Sequence, residues 1–304
     1  MVSVSLSAVV PCQQYGNLQP TVTVDGETVS GALDVALGHV KEFWDKVGTK
    51  PLEIRGEGTA SPSGKVMRCL VSGAEVLFDP VAHTYHDREG NRYTGGSTFA
   101  GRYKQPFAKD LIAGKVASKH GVEVDDVLGM WALNAEASST VGTAVHAALQ
   151  LRGEYEELSR KTKGGDVEAA LTSNPILRPI VESFFTEERA AQKAFYECFI
   201  ADASTRSCGL IDRLEVDDDG LRVTDYKTSI TMDKPEKILP PFSDVVPNTT
   251  IGGYWLQLAF YGRILQTHGR TVKGLRIYHW DGSEWVVYDH DMIDLSPAFE
   301  GINQ

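Results

Sequence analysis

Long apolar runs are missing from this sequence. Nowhere in its 304 residues do apolar side chains continue for the roughly 20 positions that a membrane-spanning helix needs. The first residues, MVSVSLSAVVP, lack the basic stretch that opens a signal peptide. A cytoplasmic location without membrane contact is therefore the expectation. Cysteine is scarce: Cys12, Cys69, Cys198 and Cys208 are scattered, with no Cys-x-x-Cys pair. That argues against zinc, an iron–sulfur cluster or a disulfide framework. The four read as ordinary half-buried thiols, with Cys198 and Cys208 as candidate neighbours across a hairpin. Positive charge is short as well. Against 41 acidic side chains stand 30 basic ones, a net charge of −11, which opposes loose binding to nucleic acid. Any DNA contact has to come from a local basic groove.

What is present fits one large domain with an appendage. Residues 2–10 and 20–25 read as strands. Leu33, Ala36, Leu37, Val40, Phe43, Trp44 and Val47 recur at helical spacing, predicting a helix over Ala32–Val47 that stops at Gly48. Residues 1–54 thus form a small ββα appendage, and the Gly/Ser/Pro-bearing stretch 55–65 reads as a linker. Short strands alternate over 66–94. There His83, His86 and Asp87 admit a metal reading, but their spacing suits strand-turn surface chemistry equally. A helix follows over Pro106–His120, with Phe107, Leu111, Ile112 and Val116 inward. Arg102, Lys104, Lys109, Lys115 and Lys119 make this the most basic part of the chain, open to reading as a solvated helix face or as a phosphate-contacting one.

Thr140–Leu151 reads as a helix capped by Ser138, Ser139 or Thr140, with His146 one turn beyond Gly142 on the same face. A second helix begins at Asn174-Pro175, with Ile176, Ile180, Phe184 and Phe185 inward, and Phe195–Ala201 is a strand. Residues 228–253 hold four prolines and no period. So long a structureless stretch is usually functional or disordered, and it is expected to be mobile beside a binding cleft. Tyr254–His268 is an apolar helix with Gln257 and Tyr261 one turn apart. Leu275–Trp280 and Trp285–His290 form a hairpin around Asp281-Gly282.

The centre of the chain is Cys208–Lys227, CGLIDRLEVDDDGLRVTDYK, two short strands joined by the acidic turn Asp217–Gly220. Asp225 and Lys227, two apart on a strand, share a face. If Asp217 pairs with Gly220, or Val216 with Leu221, then Asp212 lies opposite Asp225, with Cβ atoms roughly 4.5–5.5 Å apart. A three-residue loop with Gly220 in αL would slip this register by one. Two bare carboxylates so close repel, and a divalent cation between them relieves the conflict.

Together these pieces resemble the PD-(D/E)XK nuclease superfamily, in particular its RecB-type branch and related phage exonucleases. Four motifs carry the resemblance in the family's order: Gly142-Thr-Ala-Val-His146, Gly209-Leu-Ile-Asp212, Asp225-Tyr-Lys227 and Gln257-Leu-Ala-Phe-Tyr261. They span residues 142–261 and leave the N-terminal third outside. The resemblance implies an α/β (mixed α+β) fold with a restriction-endonuclease-like core over residues 66–304, a small central mixed β-sheet flanked by helices. It implies a divalent metal, Mg²⁺ or Mn²⁺, held by His146, Asp212, Asp225 and the backbone carbonyl of Tyr226. Lys227 would position or activate water and offset phosphate charge. Gln257 and Tyr261 would support the site or contact DNA, with Arg102 and Lys104 on the basic segment as further DNA contacts. Glu197, on the strand before the hairpin, is a weaker candidate for a supporting acid. The iron–sulfur cluster of CRISPR-associated relatives needs three late cysteines, and none follows Cys208.

Such residue types make chemical sense for phosphodiester cleavage, which needs an activated water and stabilised charge on phosphoryl oxygens. A hard cation held by carboxylates serves both needs, and the imidazole favours Mn²⁺ over Mg²⁺. The expectation is a metal-dependent DNA exonuclease of phage recombination or replication. A phage recombinase or a single-strand-binding protein would then be a natural partner besides DNA. A RecB-like endonuclease or flap-cutting repair enzyme is the nearest alternative. A catalytically idle DNA- or protein-binding member of the fold is another, although the intact Asp-x-Lys speaks against it.

Overall fold

The computed structural model describes residues 64–161, 174–228 and 231–299, and parts of 2–39. The chain divides into two compact units, Met1–Ser61 and Pro62–Gln304. In the first, β1 (Val2–Ser7) pairs antiparallel with β4 (Thr21–Gly26), and β2 (Val10–Cys12) with β3 (Gly16–Leu18). Of the helix expected over Ala32–Val47 only Val35 and His39 are among the described residues, both helical, and most of the 55–65 linker lies outside them.

The second unit begins with an antiparallel meander, β5 (Lys65–Arg68), β6 (Glu75–Asp79), β7 (Thr84–His86) and β8 (Arg92–Gly95). Five helices follow: α1 (Gly96–Gly101), α2 (Lys109–His120), α3 (Val124–Lys161), α4 (Leu177–Phe184) and α5 (Glu187–Ala191). Then come β9 (Ala194–Asp202), β10 (Ser207–Asp217) and β11 (Gly220–Lys227), the buried helix α6 (Thr250–Thr267), the hairpin β12 (Val272–Trp280) and β13 (Trp285–His290), and the single turn α7 (Ser296–Phe299). The strands make one mixed nine-stranded sheet in the order β13-β12-β11-β10-β8-β7-β6-β5, with β9 also on β10. It is the helix-flanked mixed sheet that the sequence predicts, enlarged by the meander, which joins where β8 runs parallel to the start of β10.

Helices cover both faces. On one, Trp255, Leu256, Ala259, Phe260 and Ile264 of α6 pack on Ile211, Val223, Leu275 and Ile277. α6 is apolar nearly all round, and such a helix is stable only when buried on most sides. On the other face, Val145, Ala148 and Leu149 of α3 and Ile180, Val181 and Phe184 of α4 pack on Tyr226, Tyr278 and Trp285. Tyr226 and Asp225 are neighbours in sequence and so point to opposite faces. None of the helices among the described residues is long and apolar enough to cross a membrane.

Several local expectations change. α3 does not start at a Ser/Thr cap near residue 138. It is one helix of 38 residues, and the Thr140 hydroxyl bonds back to the Glu136 carbonyl at 2.9 Å. No proline separates Pro106 from Pro175, and the alanine-rich stretch propagates through Ser138–Thr140. On α2 the inward residues are Ala113 and Ala117, with Ile112 and Val116 half-buried, while Phe107 and Leu111 are 63% and 61% exposed. Ile176 is exposed as well. The segment 231–249 is not a loose cleft loop. Met232, Ile238, Phe242 and Val246 are buried in the main core, and backbone bonds tie Leu239 to Tyr103 and Gln105 to Lys237. Cys198 stands opposite Ile211 rather than Cys208, and Cys69, Cys198 and Cys208 are buried free thiols.

Candidate active site

The site lies where β10 changes neighbours. One edge of β10 pairs with β9 from Ser207 to Glu215. The opposite edge pairs with β8 at Ser207 and Cys208 and with β11 from Arg213 to Asp217. Between them, Gly209-Leu-Ile-Asp212 has a bare edge. The Asp217–Gly220 pairing is the register that brings Asp212 to the level of Asp225, with no slip. Past Arg213–Thr224 the two strands part, and β11 continues along β12 to Lys227. In the fork so opened, the Asp212 carboxylate replaces a ladder partner: its Oδ2 accepts the Tyr226 N–H at 2.9 Å.

His146 reaches the fork from α3. Its Nδ1 lies 3.3 Å from Asp212 Oδ2, and its ring meets the Tyr226 ring edge-on at 5.7 Å. Glu197 comes from β9, level with Asp212 across the β9–β10 ladder. Its φ of 46° is left-handed, a strained state for a non-glycine strand residue. One donor atom from each of His146, Glu197 and Asp212 lies within 4.8 Å of the others. This is the one such His/Cys/Asp/Glu group among the described residues, so Glu197 moves from supporting acid to candidate ligand. Asp225 stands beside the group with its Oδ2 against Lys227 Nζ, and Lys227 Nζ lies 4.5 Å over the Tyr254 ring of α6. His83, His86 and Asp87 do not converge: His86 bonds Thr84 and Asp87 holds Asn91.

The charges of this cluster push one another. Burial opposes the Asp212 charge, but the His146 hydrogen bond, the His146 and Lys227 charges and the Tyr226 N–H outweigh it and hold the carboxyl below its usual range. Burial raises Asp225, with Lys227 pulling down and Asp212 pushing up. Burial and the Asp212 charge push Glu197 up to about 7. Burial pulls His146 down, yet its bond to Asp212 and the charges of Asp212 and Asp225 raise it overall. Burial likewise opposes the Lys227 charge, and the two aspartates more than compensate. Three carboxylates thus face one ammonium and one imidazole in a buried place. This oxygen-rich donor set with a single nitrogen fits a divalent ion such as Mg²⁺ or Mn²⁺.

Gln257 and Tyr261 line the neighbouring cleft on the bare edge of β10. Gln257 Nε2 donates to the Tyr261 hydroxyl at 3.2 Å. The Tyr261 ring lies so close to β10 and α1 that a Cβ on Gly209 would fall 2.1 Å, and one on Gly96 2.3 Å, from its edge. The glycine of the Gly-x-x-Asp motif is therefore the space for this ring. Gly209→Ala is expected to cost about 1–3 kcal/mol of stability through overpacking. Urea denaturation checks this, and an unchanged midpoint would show that the ring can move away freely. The cleft has a volume of about 470 Å³ and also takes Tyr85, Thr94, Ser97 and Arg102 into its wall. Arg102 donates to Thr94 Oγ1 at 3.1 Å. Lys104 is ion-paired to Glu236 at the side of α6. Reading the sequence missed Gly96 and the hydroxyls of this wall, because they enter only through the parallel β8–β10 contact.

Residues 123–289, more than half of the chain, match the family model of the PD-(D/E)XK nuclease superfamily. No curated protein matches the chain.

Proposed function

The chain belongs to the PD-(D/E)XK nuclease superfamily, and on that premise we propose that it is a divalent-metal-dependent DNA exonuclease of the RecB-type or phage branch, working in phage DNA recombination or replication. The observation that carries the reading is the convergence of His146, Glu197 and Asp212 in the β10–β11 fork, with Asp225 and Lys227 beside them. His146, Asp212 and Asp225, with the Tyr226 carbonyl and now Glu197, would hold the metal. When bound, the ion supplies Lewis-acid polarisation of the phosphoryl group and a water that is acidic enough to attack at neutral pH.

The chain's own residues do the rest. Asp212 fixes the His146 ring through Nδ1 and, by accepting the Tyr226 N–H, holds the two parted strands at a set spacing. Lys227 is a cation on the same face as Asp225, placed to hold water and to offset charge that builds on phosphoryl oxygens. Tyr254 under its ammonium limits where it can swing. The Gln257–Tyr261 pair and Arg102 offer donors along the cleft wall. The neighbouring cleft of about 470 Å³ has room for a nucleotide-sized group, and the exonuclease reading follows from the resemblance to the RecB-type and phage branch. Lys104 is held ready by Glu236 and can exchange that partner for phosphate.

The test is digestion of end-labelled linear duplex DNA with Mn²⁺, beside closed circles of the same sequence. Release of labelled mononucleotides from one end first, with circles untouched, is the expected outcome. Linearised or nicked circles would refute the exonuclease part and leave an endonuclease.

A further inference from the structure

α3 is packed at both ends and bare between. At its start, Val127, Leu128 and Trp131 close a small core with Ala113, Val116 and Ala117 of α2. Towards its end, Val145, Ala148 and Leu149 enter the main domain. Every residue from 132 to 141 is exposed, a rise of about 15 Å of unsupported helix. Its sequence is not that of a solvated bridge. Met130, Leu133, Ala137 and Val141 continue, at spacings of three and four, the apolar stripe that Val145 and Ala148 bury, yet Met130 and Leu133 are 61% and 65% exposed. Beside the stripe, Phe107 is exposed with its ring 5.8 Å from that of Trp131, and Lys234 Nζ lies 5.9 Å over it.

On this arm the positive charge is confined to α2, while the α3 side carries Glu123, Asp125, Asp126 and Glu136. α2 has Lys109, Lys115 and Lys119 against one acid, Asp110. Lys115 and Lys119 share its outer face with Leu111, Gly114 and Ser118 and form a shallow groove there, with Asp110 at its edge. Exposed rings next to lysines suit single-stranded nucleic acid, in which unstacked bases offer π-faces and phosphates offer charge. A duplex hides its base faces.

The arm also leads to the chemistry. The bare stretch ends at Gly142, one turn before His146. A Cβ on Gly142 would lie 3.2 Å from the hydroxyl of Thr228, the residue after Lys227. Its other root, Tyr103–Gln105, is tied to residues 237–239. We propose that the α2–α3 arm holds the single-stranded part of the DNA substrate, with bases against Phe107 and the Met130–Leu133 stripe and phosphates against the α2 lysines. This rests on the nuclease reading above and adds to it where the strand runs.

The test is binding of a fluorescent oligo-dT in EDTA, with no cleavage, by wild type, Phe107→Ala and the pair Lys115→Ala/Lys119→Ala. Phe107→Ala is expected to bind about tenfold more weakly through lost stacking. The lysine pair should lower the slope of log affinity against log salt by about 1.4, 0.7 for each lost phosphate contact. All three side chains are exposed, so unchanged thermal melts are expected. Wild-type affinity and slope in both variants overturn the proposal. So does a wild type that sediments as a dimer and becomes monomeric in Phe107→Ala with oligo-dT binding intact, which would assign the face to a second copy. A parallel assay on linear duplex with Mn²⁺ separates the two levels. Cleavage with unaltered oligo-dT binding sinks the arm alone. A wild type that neither cleaves nor binds sinks the nuclease reading and the arm with it.

Discussion

Lys227→Ala is expected to lose about 10²–10³-fold in cleavage rate while binding Mn²⁺ as well as, or slightly better than, the wild type. Asp225→Asn should lose cleavage through a different route, a fall in metal affinity. The two side chains touch, so a purely structural account would make the variants alike. Their electrostatics differ. A cation near the site opposes metal binding, so removing Lys227 relieves repulsion between charges of the same sign. What disappears is stabilisation of the transition state and placement of water. Asp225 is buried beside Asp212, and burial together with that neighbour raises its pKa even with Lys227 in contact. Neutralising it leaves only an uncharged amide oxygen as donor and removes a charge that the metal-free fold holds at a cost. Asp225→Asn is therefore expected to melt no lower than the wild type in EDTA, and higher if repulsion from Asp212 dominates. Calorimetric titration of Mn²⁺ into both variants separates the roles. Equal loss of metal binding in the two, or near-normal cleavage by Lys227→Ala, would refute the division.

Metal removal should reverse the pH dependence of stability. In the folded, metal-free protein Glu197 is raised from 4.5 to about 7, and Asp225 and His146 are raised as well. A group with a raised folded pKa stabilises fully below its unfolded value, and the benefit is lost as pH climbs through the folded value. All three therefore make the metal-free protein less stable as pH rises, with the Glu197 share lost between about pH 4.5 and 7. Asp212 is lowered and acts in the other direction, but only in the acid range below its unfolded value. With saturating Mn²⁺ the ligands are held deprotonated, so affinity rises with pH over the same window. The carboxylates then add no slope to stability above about pH 4.5, and His146, which the unfolded chain still protonates below its ordinary value of 6.5, gives a rise. Urea midpoints across that window should slope downward in EDTA and upward in Mn²⁺. Glu197→Gln should flatten the EDTA slope. Slopes of one sign in both buffers would mean that these groups do not share a metal.

Much of this site could be read from the residues because it is built on local patterns. The Asp217–Gly220 turn fixes the hairpin register, and through it the level of Asp212 and Asp225. The Gly142–His146 and Gln257–Tyr261 spacings each put two residues on one helix face. Glu197 gives only a weak signal in the sequence because its carboxylate joins the cluster through a left-handed backbone, which alternation along a strand does not reveal. Helix patterning failed where tertiary context decides. Phe107 and Leu111 look like an inward face, yet the short side chains of Ala113 and Ala117 let α2 lie closer against α3. The segment 231–249 lacks a period because Met232, Ile238, Phe242 and Val246 are anchors at irregular spacing, and irregular anchors resemble a loop in sequence. The meander's place in the sheet rests on a two-residue parallel contact, Ser207–Thr94 and Cys208–Gly95, across a sequence separation that no local signal bridges.

If the side chains in the β10–β11 fork hold a metal, hydrolysis of DNA requires both the ion and its carboxylate ligands. Digestion of linear duplex DNA by the wild type and by Asp212→Asn, each in Mn²⁺ and in excess EDTA, tests it most directly. Asp212 binds the His146 ring, the Tyr226 N–H and, on this account, the ion. Cleavage is expected only from the wild type in Mn²⁺. Cleavage that survives in EDTA, or Asp212→Asn cutting at the wild-type rate, would contradict it.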